Sequence, residues 1–280
     1  MEQPDPTTSS FRQEQAAYLA EAEAIIAAAE ERGVQLRLLG AIAVIKHCPE
    51  FIWLHEATKR ELTDIDYMAY SKQQKSIRDL LTGMGYAIKG GGGGGVTLEV
   101  WSGREIYVDP EGGRHNVDVF YDRLDFCHPI EFKDRLHLDS PTIPLSDLFL
   151  EKLQIVEINE KDLKDLVVLL LEHDVGDGNE PGRFDLPYLV GILAGDWGFY
   201  YTVSLNLDRI RRYADTIADL SPEQRALVGS RIDAIWGRVE AAPKSLRWKL
   251  RARVGPSRRW YNEVGEGYRE LGREGGAWER

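Results

Sequence analysis

Sulfur is scarce in this sequence. Two cysteines, Cys48 and Cys127, stand in 280 residues. Two thiols this far apart build neither a disulfide framework nor a zinc ribbon, and they suit a reducing compartment. Long hydrophobic runs are also missing. The longest aliphatic run spans 166–171, far short of the roughly 20 residues a membrane helix needs, so no membrane partner is expected. The N-terminus, Met1-Glu2-Gln3-Pro4-Asp5-Pro6, is acidic where an export signal is basic. A cytoplasmic location follows as the expectation. An overall positive charge is absent too. Thirty-five Lys and Arg against 46 Asp and Glu leave a net charge of -11, which excludes nucleic-acid binding by bulk charge and leaves it only to a local patch.

What is present is a chain long enough for one large domain or two small ones with a real core. The first ten residues read as a loose tail, and 11–32 as an amphipathic helix through Tyr18, Leu19, Ala22, Ile25, Ile26 and Ala29, stopped at Gly33. A short strand over 35–39 leads through Gly40 into a compact helix ended by Pro49. A helix that starts at a glycine after a strand presents unused backbone N–H groups to a phosphate, although a plain strand–helix turn has the same sequence. Residues 50–62 read as a polar connection.

The stretch Thr63-Asp64-Ile65-Asp66-Tyr67-Met68 reads as a strand. Alternation sends Ile65 into a core and puts Asp64 and Asp66 on the other face. Carboxylates held that close repel unless a proton or cation lies between them, and hard oxygen ligands suit Mg2+. A solvated strand end is the plain alternative. A helix over 72–84 and a strand over 86–89 come next. The six glycines 90–95 lack the Lys-Ser/Thr ending of a phosphate loop and read as a connection. Segments 96–101 and 104–108 are expected to form a hairpin. In the strand 114–121, Asp118 is a single acid between two valines, costly to desolvate without a partner.

From 145 onward the pattern is helical. Helices are predicted over 146–158, 160–172, 185–194 and 199–220, with a further one opened by Ser221-Pro222. Lys152 sits inside an apolar stretch. Asp162 and Asp165 are expected on a helix surface, and 174–183 as a polar loop. Residues 244–259 carry seven cations and no acid, with Trp248 and Trp260 interleaved, a composition that can grip an RNA backbone and stack bases.

The order strand, Gly40 helix start, Asp64-x-Asp66 and later Asp118 resembles the nucleotidyltransferase superfamily whose best-known member is DNA polymerase beta. Arg60 four residues before the pair, Lys152, and Lys161-Asp162-Leu163-Lys164-Asp165-Leu166 are similar to its bacterial branch of toxin-type and abortive-infection transferases. The likeness covers residues 36–170. It implies an α/β (α+β) fold, a mixed sheet with flanking helices followed by a helical C-terminal half. The expected division is 1–35 tail and helix, 36–143 core, 144–240 helical domain, and 241–280 basic segment. It further implies Mg2+ or Mn2+ at Asp64, Asp66 and Asp118, and an NTP such as ATP held by Gly40, Ala41, Arg60 and Lys152. The reaction implied is transfer of an NMP to RNA, protein or a small molecule. A silent fold that binds nucleotide or regulates a partner is the alternative. Two departures from the family stand out. It usually shows Gly-Gly or Gly-Ser where this chain has Gly40-Ala41, and its compact antibiotic-modifying members have a shorter gap between the glycine and the acidic pair.

Overall fold

A computed structural model describes residues 10–89, 103–178 and 180–263. The fold is mixed α/β, with a five-stranded mixed sheet and flanking helices. The chain divides into two compact units. The first lies within Met1–Lys46, Glu61–Leu124 and Glu131–Ile143, and the second within His47–Arg60, Asp125–Ile130 and Pro144–Arg280.

The first unit is built on the sheet. Its strands are β1 (Leu36–Leu39), β2 (Ile65–Ala69), β3 (Ala87–Ile88), β4 (Arg104–Val108) and β5 (Val117–Tyr121), in the order β1-β2-β5-β4-β3. Only β2 and β5 run parallel. Ile65, Tyr67 and Ala69 are fully buried. Helix α1 (Ser10–Glu30) buries Gln15 and, at five of the six positions its periodicity predicts, Tyr18, Ala22, Ile25, Ile26 and Ala29, with Leu19 half-buried. Tyr67 Oη donates to the Ala22 carbonyl at 2.9 Å, so the buried hydroxyl is satisfied and α1 is pinned to the Ile65 face of β2. That leaves Asp66 on the opposite face. Helix α2 (Gly40–His47) follows β1 directly.

The strand predicted over 63–68 is observed one to two residues later, so Asp64 sits just before β2. Its neighbour Ile65 is anchored by donation to the Asn116 carbonyl at 2.9 Å. Residues 90–102 lie outside the described residues, and with them the glycine run and the first arm of the predicted hairpin. Among the described residues, strand β4 pairs with β3 and β5. The supposed connection 50–62 contains a short helix, α3 (Trp53–Ala57), whose Leu54 and His55 are buried. One helical turn was too short to show a period.

The remaining helices are α4 (Gln74–Gly83), α5 (Leu145–Leu153), α6 (Glu160–Glu172), α7 (Leu186–Gly195), α8 (Trp197–Thr216), α9 (Pro222–Ala241) and α10 (Leu246–Val254). All but α4 belong to the second unit. Helix α6 is its centre, with every residue from Asp162 to Leu171 buried. A helix enclosed on all sides needs partners all round it, and α3, α5, α8 and α9 pack against it. Its start is fixed by Asn159, whose side chain accepts from the Asp162 N–H. Ser221 and Gln224 form a capping box at α9. The helix predicted over 146–158 ends at Leu153, and the expected loop 174–183 carries two short paired strands, Asp174–Gly176 and Arg183–Asp185. Three-residue pairing is too brief to show alternation. Among the described residues no helix is long and apolar enough to cross a membrane.

Candidate active site

The sheet brings the three acids together. In the parallel β2–β5 ladder Asp66 lies directly opposite Asp118, so both side chains leave the same face side by side. Asp64 is two residues from Asp66 on the same side. One carboxylate oxygen from each of Asp64, Asp66 and Asp118 lies within 4.8 Å of the other two. Asp118 is 3% exposed. Burial pushes its carboxyl up to about 6, Asp64 adds to the rise, and Arg104 and Lys89 oppose it.

This donor set fits a hard divalent cation. Oxygens bound to one Mg2+ at about 2.0–2.1 Å lie roughly 3–4 Å from each other, a small closure from the observed spacing. Three monodentate carboxylates also leave positions for water or phosphate oxygens. The Asp118 carboxyl is raised first by burial, and an ion bound there would favour its ionised form.

Gly40 sits against this cluster. Its φ is +68°, and a Cβ there would collide with Asp66 Oδ2. Only glycine meets both conditions, so the start of α2 and the second acid are in contact because the side chain is missing. Gly40 and Ala41 are the first two residues of that helix, and their N–H groups have no intrahelical acceptor.

Arg104 completes the cluster, and the sequence reading missed it. It lies on β4 opposite Phe120, while Ile106 lies opposite Asp118. Its guanidinium pairs with Asp118 Oδ2. The cation itself was visible in the sequence. The register that turns it towards Asp118 was not, because β4 and β5 are joined by a long turn through 109–116.

Arg60 and Lys152 lie in the second unit, around Asp165. Arg60 Nε and Nη2 each donate to a different Asp165 oxygen at 3.0 Å. Lys152 Nζ is 3.4 Å from Asp165, 3.3 Å from Asp162 and 3.5 Å from Glu151. His55 Nε2 is 3.2 Å from Asp165 Oδ1, outside hydrogen-bonding geometry. Asp165 is fully buried and Asp162 nearly so, which corrects their expected place on a helix surface. The helix is enclosed, so its charged face had to find counter-charges inside. Burial raises the Asp165 carboxyl, but Arg60 and then Lys152 outweigh it and hold the group far below the usual carboxylate range.

The basic segment contains α10. Lys244 and Arg251 spend donors on backbone carbonyls, and Arg251 lies 4.4 Å from the Trp197 ring centroid. Arg247, Lys249, Arg253 and Arg258 are exposed. A cavity of about 400 Å³ is lined in part by Trp197, Arg247, Trp248, Arg251 and Trp260.

The sequence matches no protein-family model and no curated protein. Among solved structures it is similar to an antibiotic-resistance factor, ANT(2'')-Ia, at 14% identity and a TM-score of 0.32, over 91% of this chain and 97% of that one. A likeness that loose carries no argument about fold or activity.

Proposed function

We propose that this protein transfers a nucleoside monophosphate from an NTP to a hydroxyl acceptor. The observation that carries this reading is the convergence of Asp64, Asp66 and Asp118 within 4.8 Å, on the sheet face that meets the Gly40 start of α2. Bound at these acids, Mg2+ or Mn2+ supplies polarisation of the α-phosphate and a lowered pKa for the attacking hydroxyl. Asp64 and Asp66 hold the ions, and Asp118 serves the nucleophile side and takes the hydroxyl proton. The backbone N–H groups at the Gly40–Ala41 start of α2 hold triphosphate oxygens. The acceptor oxygen bonds to the α-phosphorus as the bond to the leaving pyrophosphate breaks.

Arg60 and Lys152 have a different place in this reading from the nucleotide contacts their sequence positions suggested. Their charges are matched by buried acids, and we assign them to holding the second unit together. For the acceptor, the exposed cations of 244–259 with the half-buried Trp248 and Trp260 beside them favour RNA.

The test is transfer of label from NTPs into a total cell extract with Mg2+, fractionated afterwards. Asp118→Asn should keep NTP binding near that of the parent and lose about a hundredfold or more in turnover. Asp64→Asn should damage both. If Asp118→Asn transfers as well as the parent per folded molecule, the assignment fails. The pairing of Arg104 with Asp118 favours one other reading, a silent nucleotide-binding or regulatory fold. Nucleotide binding with no labelled fraction would select it.

A further inference from the structure

We propose that Arg104 is the built-in counter-cation of the carboxylate triad, holding Asp118 until a divalent ion displaces it and so setting the metal affinity. The inference rests on the metal-site reading of the three acids. It concerns a residue to which that reading gives no role.

Register places the cation. Arg104 and Phe120 are opposite each other across the β4–β5 ladder. Asp118 is two residues from Phe120 and shares its face, so Arg104 reaches it along the diagonal. The guanidinium carbon lies 5.3 Å from the Phe120 ring centroid, within cation–π range, while Nη2 pairs with the carboxylate. The pair is sheltered, with the Arg104 side chain 10% exposed and that of Asp118 4%. A carboxylate buried in this way is costly to ionise without a positive charge beside it.

Charge then argues for exchange. Three ionised carboxylates sum to three negative charges, and one guanidinium leaves two. A dication entering the triad brings the remaining two, but it must approach an acid that Arg104 already neutralises. Two cations on one small carboxylate repel at short range, and more strongly in a sheltered site than in water. Arg104 is therefore a positioning residue. It keeps Asp118 aimed at the cluster while the site is metal-free and weakens metal binding by the charge it contributes.

The test is Mn2+ titration of the full chain without nucleotide, reading free Mn2+ by its paramagnetic resonance signal. Arg104→Gln, which removes the charge and keeps a donor, should bind Mn2+ at least tenfold more tightly than the parent. Asp64→Asn should lose binding. Unchanged or weaker binding in folded Arg104→Gln, with Asp64→Asn still defective, would overturn the role of Arg104 and leave the metal site standing. Absence of binding in both parent and Arg104→Gln would refute the metal site itself and this role with it. Should Arg104→Gln fail to fold, the parent decides. The protons on its Arg104 Nη2, the atom that pairs with Asp118 Oδ2, should exchange slowly in metal-free protein and quickly at Mg2+ saturation. Slow exchange in both states would refute displacement.

Discussion

Replacing Asp165 by Asn should be among the most damaging single changes in the second unit. The substitution keeps the shape and removes the charge. Arg60, 7% exposed at its side chain, then loses the carboxylate that meets both ends of its fork, and Lys152 loses one of three acids. Breaking a buried pair in this way costs about 3–5 kcal/mol, since the abandoned charge stays out of water. Arg60→Met should cost a similar amount by exposing Asp165 to the same shortage. The double change Arg60→Met/Asp165→Leu removes both charges and fills the space with apolar atoms. It should therefore cost less than the two single changes summed, by about 2 kcal/mol or more. Urea unfolding followed by tryptophan fluorescence measures this where it matters. The described tryptophans, Trp53, Trp197, Trp236, Trp248 and Trp260, all lie in the second unit. With a slope of about 2 kcal/mol per molar urea, the Asn variant should shift the midpoint by roughly 2 M. A shift under about 0.5 M, or a double variant equal to the sum, would refute the account. The same variants test the function assigned to Arg60. Nucleotide affinity per folded molecule should survive Arg60→Met, and a tenfold loss would return Arg60 to the triphosphate.

Two further outcomes are expected. Gly40→Ala meets both a positive φ and the side chain of Asp66, so it should lower stability by about 1–3 kcal/mol and weaken Mn2+ binding. Unchanged binding in the folded variant would show that Asp66 does not depend on this close approach. Acid should destabilise the second unit before its carboxylates protonate. Burial lowers His128 and His173 to about 4, so below their ordinary pKa of about 6.5 the unfolded chain takes up protons that the folded chain refuses. Stability is complete above about pH 6.5 and falls as pH drops towards 4, by roughly 2 kcal/mol per histidine at pH 5. A urea midpoint that is flat from pH 7 to pH 5 would contradict this.

Much of the fold could be read from the sequence because its main signals are local. The apolar spacing of α1 gives its buried face, Gly33 its end, and Ser221-Pro222 the start of α9. Ile65 between two acids gives the inward face of β2 without any tertiary information. The elements that escaped are those whose period is too short to count, α3 and the strands 174–176 and 183–185. The boundary of β2 moved because Asp64 gains no ladder bond. Its position is set by the Asn116 carbonyl just before β5, which no local pattern announces. Arg104 escaped for a related reason. A cation at an alternating strand position reads as a solvated residue until the neighbouring strand and its register are known.

The two acidic clusters of this chain show what local sequence leaves open. Both contain three carboxylates and basic side chains, and both looked like nucleotide chemistry. Around Asp165 the acids Glu151, Asp162 and Asp165 meet Lys152, Arg60 and, close by, His55. The charges nearly balance, and Asp165 is held far below the usual carboxylate range in spite of complete burial. Around Asp118 three acids meet the guanidinium of Arg104, and the buried carboxyl rises to about 6. Burial acts in the same direction on both groups, so the opposite outcomes come from the counter-charges. One cluster draws its counter-charges from the chain itself. The other is short of positive charge on a face where Gly40 has cleared the space, and that shortage is the physical reason to seek a divalent ion and a triphosphate there.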